Sequence, residues 1–137
     1  MAYRYDVFIS YSHKNKRWVN NWLLPRLARA GIRVCIDEKE FRSGAALVSE
    51  IRRGVRQSRK AILVLTPAYL KSKYAALEYF MFHHSDPNFR RRRFLPLLLQ
   101  PCILPPDLAS LIYFKFNVPF TRQKEFSRLL RAIRSVP

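Results

Sequence analysis

The run Tyr5-Asp6-Val7-Phe8-Ile9-Ser10-Tyr11 constrains the fold more than any other stretch of this chain. It is almost unbroken in apolar and aromatic character, and it gives way at once to the polar Ser12-His13-Lys14-Asn15-Lys16-Arg17. Such a run reads as a strand buried on both faces, the habit of strands in a parallel sheet. A second buried run, Ile32-Arg33-Val34-Cys35-Ile36, follows a segment in which Trp18, Val19, Trp22, Leu23, Leu27 and Ala30 share one helical face. Strand, helix, strand is the βαβ unit, whose crossover is right-handed. In an open sheet of this kind, ligands bind outside the carboxyl ends of the strands, where the strand order reverses.

The rest of the chain repeats the alternation. Pro25 predicts a kink or break near Leu24, and Gly31 a C-terminal cap. A polar loop from Asp37 to Gly44 carries Phe41 at its tip. The next helix is expected over Ala45 to Gln57, with Leu47, Val48, Ile51 and Val55 inward. Ala61 to Leu65 is the clearest strand, stopped by Thr66-Pro67. A loop and helix run from Pro67 to about His83. Phe94 to Leu99 reads as a fourth strand, with Pro96 pointing to an edge or a bulge. A proline-rich loop from Gln100 to Pro106, a short strand from Leu111 to Phe116 and a closing helix from Thr121 to Ser135 complete the chain. Without repeats or internal linkers, residues 1–137 read as a single α/β domain: a flavodoxin-like, doubly wound, five-stranded parallel sheet flanked by helices.

Charge narrows the partners. Lys and Arg number 26 against nine acids, a net charge of +17, which attracts polyanions. The cations are scattered and no reader motif accompanies them, so sequence-specific nucleic-acid binding is not expected. The densest run, Arg90-Arg91-Arg92-Arg93, reads as a solvated loop before a strand. No apolar run approaches the ~18 residues of a membrane span. Met1-Ala2-Tyr3-Arg4 does not resemble a secretory signal. Cys35 and Cys102 have neither metal-ligand spacing nor a disulfide framework, which fits reduced thiols in a cytoplasmic protein.

The acids are few enough to sort by position. Asp6 and Glu125 fall at the wrong ends of their elements for the crevice, Glu50 is mid-helix, and Asp86 and Asp107 lie in later loops. Asp37, Glu38 and Glu40 after the second strand remain, with Glu78 after the third. Glu78 sits among Tyr74, Leu77, Tyr79, Phe80, Met81 and Phe82. A carboxylate in apolar surroundings needs a compensating partner or ligand. Either one of the many cations supplies it, or Glu78 is held for a ligand beside Tyr74, four residues back on the same helical face. Of the histidines, His13 lies in the loop after the first strand, inside the expected crevice, while His83 and His84 end a helix. The three glycines, Gly31, Gly44 and Gly54, are too far apart to make a GxGxxG loop, and no Ser-His-Asp order or metal motif is visible. A phosphorelay receiver shares the topology but needs acids where this chain has Ser12-His13 and Thr66.

These residues resemble a known family. Tyr5 to Tyr11 looks like the first conserved box of the Toll/interleukin-1 receptor (TIR) domain. Cys35-Ile36-Asp37 with Phe41-Arg42-Ser43-Gly44 resembles its second strand and BB loop. Ala61 to Tyr69 resembles the third strand and following loop, and Ser72-Lys73-Tyr74-Ala75-Ala76-Leu77-Glu78 resembles its S-x-W-C-x-x-E segment. The resemblance runs in order to about Phe82; the aromatic pair of the third box is not evident. It is to the prokaryotic, NAD-cleaving branch that these features are compared.

The resemblance implies an NAD+ glycohydrolase acting in immune or defence signalling and activated by self-association. Glu78 would be catalytic, with Tyr74 in place of the usual tryptophan and Ala75 in place of the usual cysteine. Tyr11, Ser12, His13, Asp37, Phe41, Arg42, Ser43, Gly44 and Tyr74 would line the substrate pocket. NAD+ would be the substrate, with no metal and no cofactor. The loop Glu38–Gly44 would dock against a neighbouring TIR domain, with a fused sensor or scaffold domain as a further partner. The alternative implied by the same resemblance is a non-catalytic TIR–TIR interaction module.

Overall fold

The computed structural model describes residues 3–36, 45–73, 93–104, 106 and 113–135. Five parallel strands, β1 (Tyr5–Ser10), β2 (Val34–Ile36), β3 (Ser58–Leu65), β4 (Phe94–Leu98) and β5 (Phe114–Lys115), form one sheet in the order β2-β1-β3-β4-β5. This is the expected doubly wound order, and it reverses between β1 and β3. Helix α1 (13–29) and helix α4 (Arg122–Arg134) cover one face; α2 (Ala45–Gln57) and α3 (Pro67–Ser72) cover the other.

Side-chain alternation along the strands divides the core accordingly. Val7, Ile9 and Tyr11 of the first strand, with Ile62 and Val64 of β3, meet α1 and α4. Phe8, Ala61, Leu63 and Leu65 meet Ile51 and Val55 of α2 and Tyr69 of α3. Both central strands are therefore buried on two faces, as their unbroken apolar runs require.

The first helix is not uniform. A 3-10 turn (His13–Asn15) and one α-turn (Lys16–Trp18) lead into a π-helical segment (Val19–Leu23), and regular α-helix resumes over Leu24–Arg29. The break expected near Leu24 is thus a widened turn just before Pro25. Proline has no N–H to donate four residues back and its ring crowds that carbonyl; the wider turn relieves both. Arg26 lies 4.0 Å over the Trp22 ring and donates to the Trp22 carbonyl at 3.0 Å. Trp18 and Trp22 stack at 5.5 Å, while Phe116 and Phe126 meet Trp22 edge-on, which fastens α1 to the C-terminal part of the chain. The helix ends as Gly31 predicts. With φ at +78°, the Gly31 N–H donates to Ala28 and the Ile32 N–H to Leu27, a Schellman closure.

Two expectations need correction. Pro96 does not mark an edge or a bulge: β4 is interior, paired with β3 from Phe94 to Leu98 and with β5 at Leu97 and Leu98. Arg93 accepts from Ala61 and Leu99 donates to Leu65, so the odd-numbered residues of β4 face β3. Pro96 faces the other side, so its missing N–H takes no bond from the β3–β4 pairing. In addition, β3 starts at Ser58, directly after α2, three residues earlier than its apolar pattern shows.

Close approach fixes α2 against β1. A Cβ on Gly54 would lie 2.5 Å from the Phe8 ring, and Phe8 is buried. Gly54→Ala is expected to destabilise by about 1–3 kcal/mol, the usual range for overpacking. The denaturation midpoint should fall with unchanged slope, and Phe8→Leu in the same chain should recover part of the loss.

Asp6 and Glu125 are structural, as their positions outside the crevice indicate. Asp6 accepts from the Arg33 N–H at 2.8 Å and pairs with its guanidinium at 3.1 Å, tying β1 to β2. Glu125 accepts from the Lys115 N–H at 2.8 Å and from Arg128 at 2.7 Å, tying α4 to β5. Burial raises both carboxyl pKa values, but these donors outweigh it and hold both below the ordinary carboxylate value. A depressed carboxylate stabilises the fold above its unfolded pKa of about 4 and loses that contribution as pH falls through the folded value. Stability should therefore decline on the acid side, and Asp6→Asn with Glu125→Gln should flatten that limb in urea midpoints measured against pH.

Candidate functional site

The crevice opens where β1 and β3 diverge to neighbours on opposite sides, and its rim is built from their carboxyl ends. β1 ends at Ser10, whose hydroxyl lies 2.9 Å from the Tyr69 phenol of α3. Tyr69 is fully buried; desolvation pushes its pKa well above the ordinary phenol value, partly offset by Ser10, so it is a protonated structural strut at neutral pH. Thr66, also fully buried, directly follows β3. The Thr66 Oγ1 accepts from the Tyr69 N–H at 3.1 Å, capping α3, and donates to the Asn15 Oδ1 at 2.9 Å. One hydroxyl thus starts a helix and closes the floor of the crevice by joining the start of α1 to the top of β3. Pro67 at the first helical position completes this start.

The loop from β1 carries three of the expected pocket residues. Tyr11 and Ser12 are buried, and His13 is exposed. The Ser12 Oγ accepts from the Lys14 N–H at 3.3 Å and caps the first turn of α1. The Tyr11 ring belongs to the core beside α1, and the Lys73 ammonium stands 5.6 Å from its centroid. The structure therefore brings Tyr11, Ser12 and the end of α3 together at the switch point, with His13 on the outer lip. Asp37, Phe41, Arg42, Ser43 and Gly44 of the BB loop lie outside the described residues, as do Tyr74 and Glu78.

Sequence reading missed the Asn15–Thr66 bond, the Ser10–Tyr69 bond and the position of Lys73. Thr-Pro at a strand end is a visible helix-start signal, and it alone could have drawn attention to Thr66. The partners are 51 and 59 residues apart. The described acids contribute nothing to the crevice, because Asp6, Glu50 and Glu125 are paired with Arg33, Arg53 and Arg128. Among the described residues no group of His, Cys, Asp and Glu could hold a metal ion.

Comparison with known proteins agrees with this architecture. A family model described as the TIR domain matches residues 7–130. Mouse Toll-like receptor 6 is 35% identical over 107 residues, covering 78% of this chain and 13% of the receptor. The fruit-fly protein Toll is 33% identical over 97 residues, covering 69% of this chain and 9% of that protein. The chain thus spans only a small part of the curated relatives it matches. Among solved structures, the TIR domain of the Toll-related receptor TRR-2 from Hydra magnipapillata superposes with a TM-score of 0.76 at 26% identity. That alignment covers 96% of this chain and 99% of the Hydra chain.

Proposed function

The chain belongs to the TIR domain family, and on that premise we propose that it is a signalling domain that cleaves the nicotinamide–ribose bond of NAD+ when self-associated. The observation that carries this reading is Lys73 standing over the Tyr11 ring at the switch point. The chain leaves α3 beside the crevice at that residue, and Tyr74 and Glu78 follow within five positions. The resemblance to the TIR S-x-W-C-x-x-E segment assigns Glu78 the catalytic role.

The chemistry needs little machinery. Nicotinamide in NAD+ is a cationic leaving group, so the C1′–N bond breaks without a strong general acid. The electron pair goes to the nicotinamide nitrogen, and positive charge develops on the ribosyl group. A carboxylate beside that group stabilises the oxocarbenium-like transition state and orients the ribose hydroxyls. Water then adds at C1′ and releases a proton to give ADP-ribose, or an adenine nitrogen adds to give a cyclic isomer. Tyr74 supplies a stacking face. Mouse Toll-like receptor 6 and fruit-fly Toll are animal receptors, and this chemistry does not depend on a prokaryotic origin.

A second reading, a TIR–TIR association module without catalysis, is favoured by the 35% identity to mouse Toll-like receptor 6 and by Tyr74-Ala75 in place of Trp-Cys. Incubating concentrated protein with NAD+ and measuring released nicotinamide separates the two. Release supports the first reading; self-association with no release at any concentration supports the second.

A further inference from the structure

The edge of the sheet opposite the crevice gathers exposed cations from several elements. Helices of a parallel α/β domain run against the strands, so strand starts and helix ends share one edge. Arg4 and Arg33 precede β1 and β2, Arg29 ends α1, Arg56 lies in the last turn of α2, and Arg131 and Arg134 lie in the last turn of α4. All six are exposed. Bonds join the element ends at this edge: Arg134 donates to the Ala30 carbonyl at 3.0 Å, Arg33 pairs with Asp6, and Arg59 donates to the Ser135 carbonyl at 3.3 Å. Asp6 is the one described acid at the edge itself, and Arg33 already neutralises it.

Helix C-termini attract cations, which accounts for some of this charge. Lys60, almost completely buried, donates to the Ala132 carbonyl at 2.5 Å and the Ser135 Oγ at 2.6 Å. Arg93 donates to the Val55 and Ser58 carbonyls at 2.9 and 3.0 Å. These inner cations bond the ends of α4 and α2, and Arg134 alone of the six exposed arginines reaches across to the end of α1, so the exposed charge exceeds what the helix ends take up. Arg90, Arg91 and Arg92 directly precede Arg93 in the chain.

We propose that this edge docks on an anionic phospholipid surface. The arginines are spread over the ends of five elements, and among the described residues no helix or β-ribbon projects from the edge to enter a nucleic-acid groove. A distributed plane of cations suits a plane of headgroups better than a duplex. Tyr3, exposed and covered by Arg93 at 5.6 Å, adds the amphipathic ring typical of an interface. Docking this way leaves the crevice about 20 Å away, the length of a six-residue strand, and facing water. The bilayer charge would also screen the repulsion between protomers of net charge +17 and gather them on one surface. The inference is independent of NAD+ cleavage.

The test is co-sedimentation of the full chain with phosphatidylcholine vesicles, with and without phosphatidylserine, beside a short DNA duplex at the same salt. Binding only to the phosphatidylserine vesicles is expected, and it should be lost as salt rises well above about 0.1 M. Arg29→Gln/Arg56→Gln/Arg131→Gln should weaken vesicle binding by at least about tenfold. Lys14→Gln/Lys16→Gln/Arg17→Gln, which removes the same charge on the crevice side, should change it less than about twofold. Far-UV circular dichroism checks that both variants fold. Equal losses in the two variants, no binding to phosphatidylserine vesicles, or tighter binding to DNA than to them would overturn the proposal.

Discussion

Glu78→Ala is expected to abolish NAD+ cleavage while leaving the fold intact. A preorganised charge facing a developing cation acts mainly in the transition state, and its loss costs about 10²-fold or more in turnover. Glu78→Gln keeps the shape and some hydrogen bonding but not the charge, so it should be nearly as inactive. If both variants bind the product ADP-ribose as the parent does, the loss belongs to the chemical step rather than to the pocket. Folded Glu78→Ala retaining near-normal nicotinamide release would remove this carboxylate from the mechanism. Far-UV circular dichroism and the denaturation midpoint of the variant should match those of the parent.

Activity per protomer should rise with protein concentration. The loop Glu38–Gly44 puts Phe41 among charged residues, and by the TIR resemblance it docks against a neighbouring domain to complete the pocket. Such a head-to-tail contact does not close on itself and builds open strands. A net charge of +17 opposes it, since like protomers repel over a Debye length of about 10 Å at about 0.1 M salt. Dilute protein should be monomeric and nearly inactive, while raised salt, crowding or a polyanionic scaffold should increase both light scattering and turnover. Phe41→Ala and Gly44→Pro should lower specific activity by tenfold or more, on the order of one lost anchor at an interface, without changing the denaturation midpoint. Constant specific activity from a strictly monomeric sample across a wide dilution series would show that one chain holds the complete site.

What could be read from the sequence was local. The runs in β1 and β3 announce double burial because every residue faces a helix layer. Gly31 and Thr66-Pro67 announce a helix end and a helix start, since a cap is decided by a few adjacent residues. Register is not local. Pro96 by itself points to an edge, and only the register of β4 on β3 shows that its missing N–H lies on the side away from β3. The same limit applies at the crevice. His13 could be placed beside it from topology, and Tyr11 and Ser12 from the TIR resemblance, but the burial of Tyr11 and the Asn15–Thr66 bond depend on how distant segments meet. Asp6 and Glu125 could be set aside from their positions alone, and their arginine partners confirm a structural role.

The tryptophan pair has an optical consequence. The chain has two tryptophans, and both stand in one stack on α1, nearly parallel and braced by Phe116 and Phe126. Their transitions should couple, giving a paired signal in the near ultraviolet and an emission that reports on the contact of α1 with α4. No tryptophan lies in the cluster around Phe8, Ile51 and Tyr69 on the other face. Tryptophan fluorescence therefore watches one half of the molecule and is blind to the half that holds α2 and α3. A change confined to that darker half would pass unseen until the whole sheet came apart.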